Sequence, residues 1–176
     1  MTDEISRSYG LIPTETPLSN WPAETIKFLK GDEAREIKEM GEQLIQKYRK
    51  DLLPYKIAYI FKQKASKSNN SVILGQAKSE SDMQKVLHGY EAVVIIGFDT
   101  WKELTIDGKY RLVYHELSHF EIDEKGSLKT RTHAVEEFPE VIQLFGPGND
   151  AQIDFINAYQ KFSANFTHRS LLKDRE

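Results

Sequence analysis

The run Ala92-Val93-Val94-Ile95-Ile96 is apolar at every position. A strand with one wet face alternates apolar and polar residues, so an unbroken run reads as a strand covered on both faces. Two further stretches have strand character, Tyr55 to Lys62 and Ser71 to Lys78. In the first, Ile57, Tyr59 and Phe61 alternate with Lys56, Ala58 and Ile60, the period of two of a half-buried strand. Lys64 to Asn70, between these two, is polar and turn-forming, and Ser79 to His88 reads as a short helix leading to the apolar run.

Helical periodicity brackets these strands. From Asp32 to about Lys50, Ile37, Met40, Leu44, Ile45 and Tyr48 recur at spacings of three and four, with Asp32 a suitable N-cap and Pro54 a stop. Trp101 to Gly108 connects to a second strong helix, roughly Lys109 to Phe120. Asp123-Glu124-Lys125-Gly126 is a turn and residues 127–131 a short strand. Pro139 favours a helix start there, running to Phe145 and ended by Gly146-Pro147-Gly148. A final amphipathic helix over about Asp150 to Phe162 carries Ile153, Ile156 and Tyr159. These elements make an α+β chain, and 176 residues suit one ordinary domain. The expected organisation is an extended arm over residues 1–31, marked by Pro13, Pro17 and Pro22, then a single domain over 32–166 and a polar tail over 167–176.

Composition narrows the chemistry. The chain has no cysteine, which excludes disulfides, thiolate metal sites and a cysteine nucleophile, so any metal must use nitrogen and oxygen ligands. A net charge of −3 gives no general pull toward nucleic acid or an anionic membrane. Lys62, Lys64 and Lys67 form one local basic cluster, which reads as a solvated loop. No stretch approaches the roughly 18 apolar residues of a membrane helix, and Met1 to Ser8 is polar and mixed in charge, so a cytoplasmic location is expected.

The second strong helix contains His115-Glu116-Leu117-Ser118-His119. Positions i and i+4 lie one turn apart on one helix face, where two imidazoles can share one ion. Glu116, one position on from His115, stands where a carboxylate reaches a water on that ion without being a ligand, the place of a general base. With zinc as the metal, the ion acidifies the water, Glu116 takes the proton and can pass it to a leaving amine. Leu112, Val113 and Tyr114 precede the motif without a helix breaker. A catalytic zinc site normally takes a third protein ligand. The downstream donors are His133, Glu136, Glu137, Glu140, Glu121, Asp123 and Glu124, with His88 and His168 more distant. His133 is preferred because it stands fourteen positions beyond His119, after a turn at Gly126 that lets the chain reverse; Glu136 is the alternative. Tyr114, Tyr159, Arg131 and His168 are chemically able to serve as a second oxyanion donor, and spacing does not choose among them.

The stretch from Val94 through Phe98 and Trp101 to the motif, followed by Thr132-His133-Ala134-Val135-Glu136-Glu137-Phe138, resembles the phage metallopeptidase family. More distantly it is similar to the SprT and Spartan proteases, where a third histidine follows in a short H-G-x-x-F segment. In the phage family that segment reads approximately H-D-x-E-E-F and ends in Tyr-Gly. His133, Glu136, Glu137 and Phe138 match it, Phe145-Gly146 replaces Tyr-Gly, and Ala134 stands where an acidic residue is usual. The resemblance covers roughly residues 35–146. It implies a minimal zincin-like domain: a long N-terminal helix, a small three- to four-stranded mixed sheet, an active-site helix and C-terminal helices. It also implies that an extended protein or peptide substrate adds along a sheet edge, either Ser71 to Lys78 or Glu91 to Phe98. The expected function is zinc-dependent peptide hydrolysis. The alternatives are a metal-binding interaction or inhibitory module that acts by binding a partner protein, and, from the Spartan-like pattern alone, proteolysis near DNA.

Overall fold

The structure is a computed structural model that describes residues 21–22, 26–68, 71–133, 147 and 150–173. Residues 1–131 and 132–176 form two compact units. In the first, strand β1 (Phe28–Leu29) precedes a 3-10 turn, Gly31–Ala34, and helix α1 (Arg35–Tyr48). Strand β2 (Ile57–Lys62) follows, then β3 (Ser66–Ser68), β4 (Ser71–Ile73) and β5 (Gly75–Ser79). Helix α2 (Asp82–His88) leads to β6 (Ala92–Gly97), the short helix α3 (Phe98–Trp101) and helix α4 (Ile106–Ser118). Strands β7 (Phe120–Ile122) and β8 (Leu128–Thr130) close this unit. The described part of the second unit contains helix α5 (Asp150–Lys173).

The main sheet has the order β1-β2-β6-β5. β2 and β6 are parallel, while β1 on β2 and β5 on β6 are antiparallel, so the sheet is mixed. The fold is α+β, with the long N-terminal helix, small mixed sheet and C-terminal helix that the sequence suggests. The apolar run is an inner strand, yet only one of its faces is fully covered. Ala92, Val94 and Ile96 are buried with Tyr59 and Phe61, while Val93 and Ile95 are half-buried. The reason is register: Val93 pairs with Lys78 and Ile95 with Gln76 on β5, so polar side chains flank the second face and their stems give part of the cover.

Helices α1 and α4 pack on the sheet and against each other. The periodic residues Ile37, Met40, Leu44 and Ile45 are buried there with Val113 and Leu117 of α4. Each such fully buried aliphatic side chain contributes about 1.5–3 kcal/mol. Trp101 is buried edge-on to Phe61 at 5.7 Å. Its indole Nε1 donates to Glu36 Oε2 at 2.9 Å, and Lys109 Nζ donates to Glu36 Oε1 at 2.8 Å, a buried ion pair that ties the start of α4 to α1. The Tyr59 ring lies against Gly41, where any Cβ on the helix would collide with it.

Several local expectations change. Asp32 does not cap α1; it lies in the 3-10 turn and accepts from Arg35 Nη2 at 2.7 Å, while Ala34 is the N-cap. α4 starts three residues earlier than the apolar pattern suggests, because Thr105 Oγ1 accepts from the Gly108 amide at 3.1 Å. The stretch Ser71 to Lys78 is two strands, since β4 turns back on β3 in a separate hairpin, and the supposed loop 64–70 supplies β3. β7 is an addition, paired with the expected strand near residue 128. α5 continues to Lys173, through most of the expected polar tail. The arm up to residue 20 and the helix expected over 139–145 fall outside the described residues, as does Ala134.

Candidate metal centre

α4 buries Leu112, Val113, Glu116 and Leu117 toward the sheet. That inward face decides where the motif residues stand: His115 is exposed, His119 half-buried, and Glu116 only 3% exposed. The imidazoles of His115 and His119 lie edge to face with centroids 5.0 Å apart. Among the described residues, His115, His119 and His133 are the group whose possible ligand atoms all lie within 4.8 Å of one another. Three imidazole nitrogens suit a divalent transition ion such as zinc and leave a coordination position for water. The alternative ligand Glu136 and the neighbouring Glu137 and Glu140 are outside the described residues.

The chain reaches His133 by a short route. α4 ends at Ser118, β7 and β8 form a hairpin, and the Arg131 amide donates to the His119 carbonyl at 2.7 Å. His119 Nδ1 lies 2.8 Å from the Arg131 carbonyl oxygen. A carbonyl can only accept, so Nδ1 carries the proton and Nε2 has the lone pair for a metal. His133 follows two residues later.

Glu116 meets β5 rather than solvent. Burial pushes its carboxyl up to about 7, with opposing contributions from His119 and from the Ala77 amide, which donates to it. Gly75 lies so close that a Cβ there would sit 2.6 Å from Glu116 Oε1. Of the two strands expected as a sheet edge, β5 is at the edge of the sheet and β6 is inner. The Gly97 amide bonds Leu74 and the Glu80 amide bonds Glu91, so residues 74, 76, 78 and 80 face β6. The alternation of a strand turns the backbone groups of Gly75, Ala77 and Ser79 to the other side.

Of the candidate oxyanion donors, Tyr114 is partly exposed and stacks edge-on with Tyr48 at 5.9 Å. Arg131 Nε is engaged with the Ser118 carbonyl at 2.8 Å. Tyr159 is exposed on α5, and the His168 side chain is outside what is described. Lys62 Nζ donates to Ser66 Oγ at 2.8 Å at the base of the β3–β4 hairpin, where Lys64 and Lys67 are exposed. Sequence reasoning missed Gly75, the Ala77 amide, Arg49 and the carbonyl of Arg131. An isolated glycine in a strand signals close approach and marked Gly75; main-chain groups leave no such mark.

The family model described as "Putative phage metallopeptidase" matches residues 31–163. The match spans more than half of the chain, and the chain belongs to this family. No curated protein and no solved structure matches it. Membership brings with it, at a coarse level, a peptidase that uses a metal ion and acts on protein or peptide. No helix among the described residues is long and apolar enough to cross a membrane.

Proposed function

We propose that this protein is a zinc metallopeptidase in which His115, His119 and His133 hold the ion and Glu116 is the general base. The observation that carries the reading is the convergence of the three histidine ligand atoms within 4.8 Å on a helix whose intervening glutamate is buried. When bound, zinc supplies Lewis acidity, lowering the pKa of water toward about 7 and polarising a carbonyl. Glu116 takes and returns the proton. A carboxyl pushed up to about 7 by burial is matched to accepting and releasing a proton near neutral pH. The substrate is an extended polypeptide that adds along β5, using the outward backbone groups of Gly75 and Ser79 and the carbonyl of Ala77, whose amide already donates to Glu116.

The test compares the wild type with Glu116→Gln on an unfolded protein substrate, with bound zinc measured in both. The variant is expected to keep the metal and lose at least a hundredfold in turnover. Equal turnover would refute the role of Glu116, and a biological effect that survives both Glu116→Gln and His115→Ala would make the protein a binding module instead.

A further inference from the structure

The motif helix stops inside its own motif. α4 ends at Ser118, and His119, the second histidine, is the C-cap residue. A helix fixes the orientation of a side chain through the turns on both sides of it, and the last turn leaves its carbonyls without helical donors. His119 therefore lacks the helical support that His115 has, and something else must hold it.

The carbonyls of this turn are all satisfied. The Glu116 carbonyl accepts from the His119 amide at 3.2 Å. Arg49 Nη1 donates to Leu117 at 2.6 Å, and Arg49 Nη2 to Phe120 at 2.8 Å. Arg131 Nε donates to Ser118 at 2.8 Å, and the Arg131 amide to His119 at 2.7 Å. Two guanidinium groups thus take the place of the next helical turn, where the helix dipole favours cations. Their grips differ. Arg49 is itself held by Asp51, through Nε to Oδ1 at 3.0 Å and Nη2 to Oδ2 at 2.7 Å, and its bonds to the turn go to main-chain carbonyls. Arg131 binds both the backbone of the turn and, through its own carbonyl, the imidazole of His119 at 2.8 Å.

We infer that Arg131 is a positioning residue of the metal centre: its side chain anchors the β8 exit to the end of α4, so that its carbonyl holds His119 in the Nδ1–H tautomer. This inference rests on the reading of His119 as a ligand. In this role Arg131 acts through His119, which its carbonyl meets. A partner of this kind on a metal-binding histidine changes metal affinity by roughly 10- to 100-fold.

The test uses the full chain, Arg131→Ala, and Arg131→Lys as a second variant that keeps the charge and loses the guanidinium geometry. Nitrogen–proton correlation NMR on the chelator-treated protein reads the His119 tautomer, and competition with a chelator reads the affinity for Zn2+ alone. In the wild type, His119 is expected as the Nδ1–H tautomer. Arg131→Ala is expected to mix the tautomers and weaken zinc roughly 10- to 100-fold, with Arg131→Lys between the two. Unchanged tautomer and affinity within twofold in the variants overturn the inference, and Arg131→Lys decides if Arg131→Ala does not fold. A tautomer change without zinc binding by any of the proteins supports the clamp and refutes the metal reading instead.

Discussion

Gly75 and Glu116 occupy neighbouring space with no room for a methyl group between them: a Cβ on residue 75 would lie 2.6 Å from Oε1 of Glu116 and 2.9 Å from its Cδ and Cγ. Gly75→Ala must therefore displace the carboxylate or the edge strand. Turnover is expected to fall by roughly a hundredfold, the usual scale for misplacing a catalytic group by an ångström, with zinc content unchanged because the three histidines are untouched. Wild-type turnover in Gly75→Ala would show that Glu116 need not stand where the structure places it.

Burial of Glu116 links stability to pH in the metal-free protein. Its carboxyl titrates near 4.5 when unfolded and at about 7 when folded, so between these values the folded state holds a proton that the unfolded state has lost. Stability is highest at and below pH 4.5 as far as this group is concerned, falls as pH rises to about 7, and then levels off. The loss is about 3 kcal/mol. Glu116→Gln removes this slope and is expected to be more stable than the wild type at pH 8. Denaturant unfolding of chelator-treated protein at pH 5 and pH 8 measures both; an equal slope in the two proteins would assign it to other groups.

The buried pair of Glu36 and Lys109 joins α1 to the motif helix. Lys109→Met leaves the Glu36 carboxylate buried and still accepting from the Trp101 indole, and should cost roughly 3–5 kcal/mol. Replacing both, as Glu36→Gln with Lys109→Met, should restore much of that loss, since no charge is then buried alone. A single variant as stable as the wild type in thermal denaturation would mean that water reaches this pair.

Tyr59 presents the opposite case. Its hydroxyl is buried and finds no hydrogen-bond partner among the described residues, and burial pushes its pKa well up. Tyr59→Phe removes an unsatisfied polar atom and should leave stability unchanged or raise it by up to about 1 kcal/mol. Gly41→Ala, which forces a Cβ into the same ring, should destabilise. Unfolding midpoints compare the two, and a marked loss in Tyr59→Phe would reveal a partner for the hydroxyl.

How much of this was legible depended on the kind of interaction. α1 and the inner strand β6 were readable because burial imposes a period on side chains, and the i, i+4 pair of His115 and His119 because one helical turn fixes its geometry. The full cover expected for β6 failed because the polar neighbours Gln76 and Lys78 are set by register between strands, which local pattern does not contain. β3 was missed because Ser66, Lys67 and Ser68 have a turn-like composition, and only pairing with β4 makes them extended. The end of α4 depends on Arg49, 68 residues from the Leu117 carbonyl it caps, a separation at which single-sequence reasoning has no signal.

Anomalous scattering at the zinc absorption edge, from crystals of protein purified without chelator, tests the central claim most directly. One peak is expected, roughly 2.0–2.1 Å from a ring nitrogen of each of His115, His119 and His133, with Nε2 as the atom of His119. A peak bound by another set of residues, or no peak at all at this site, would contradict it.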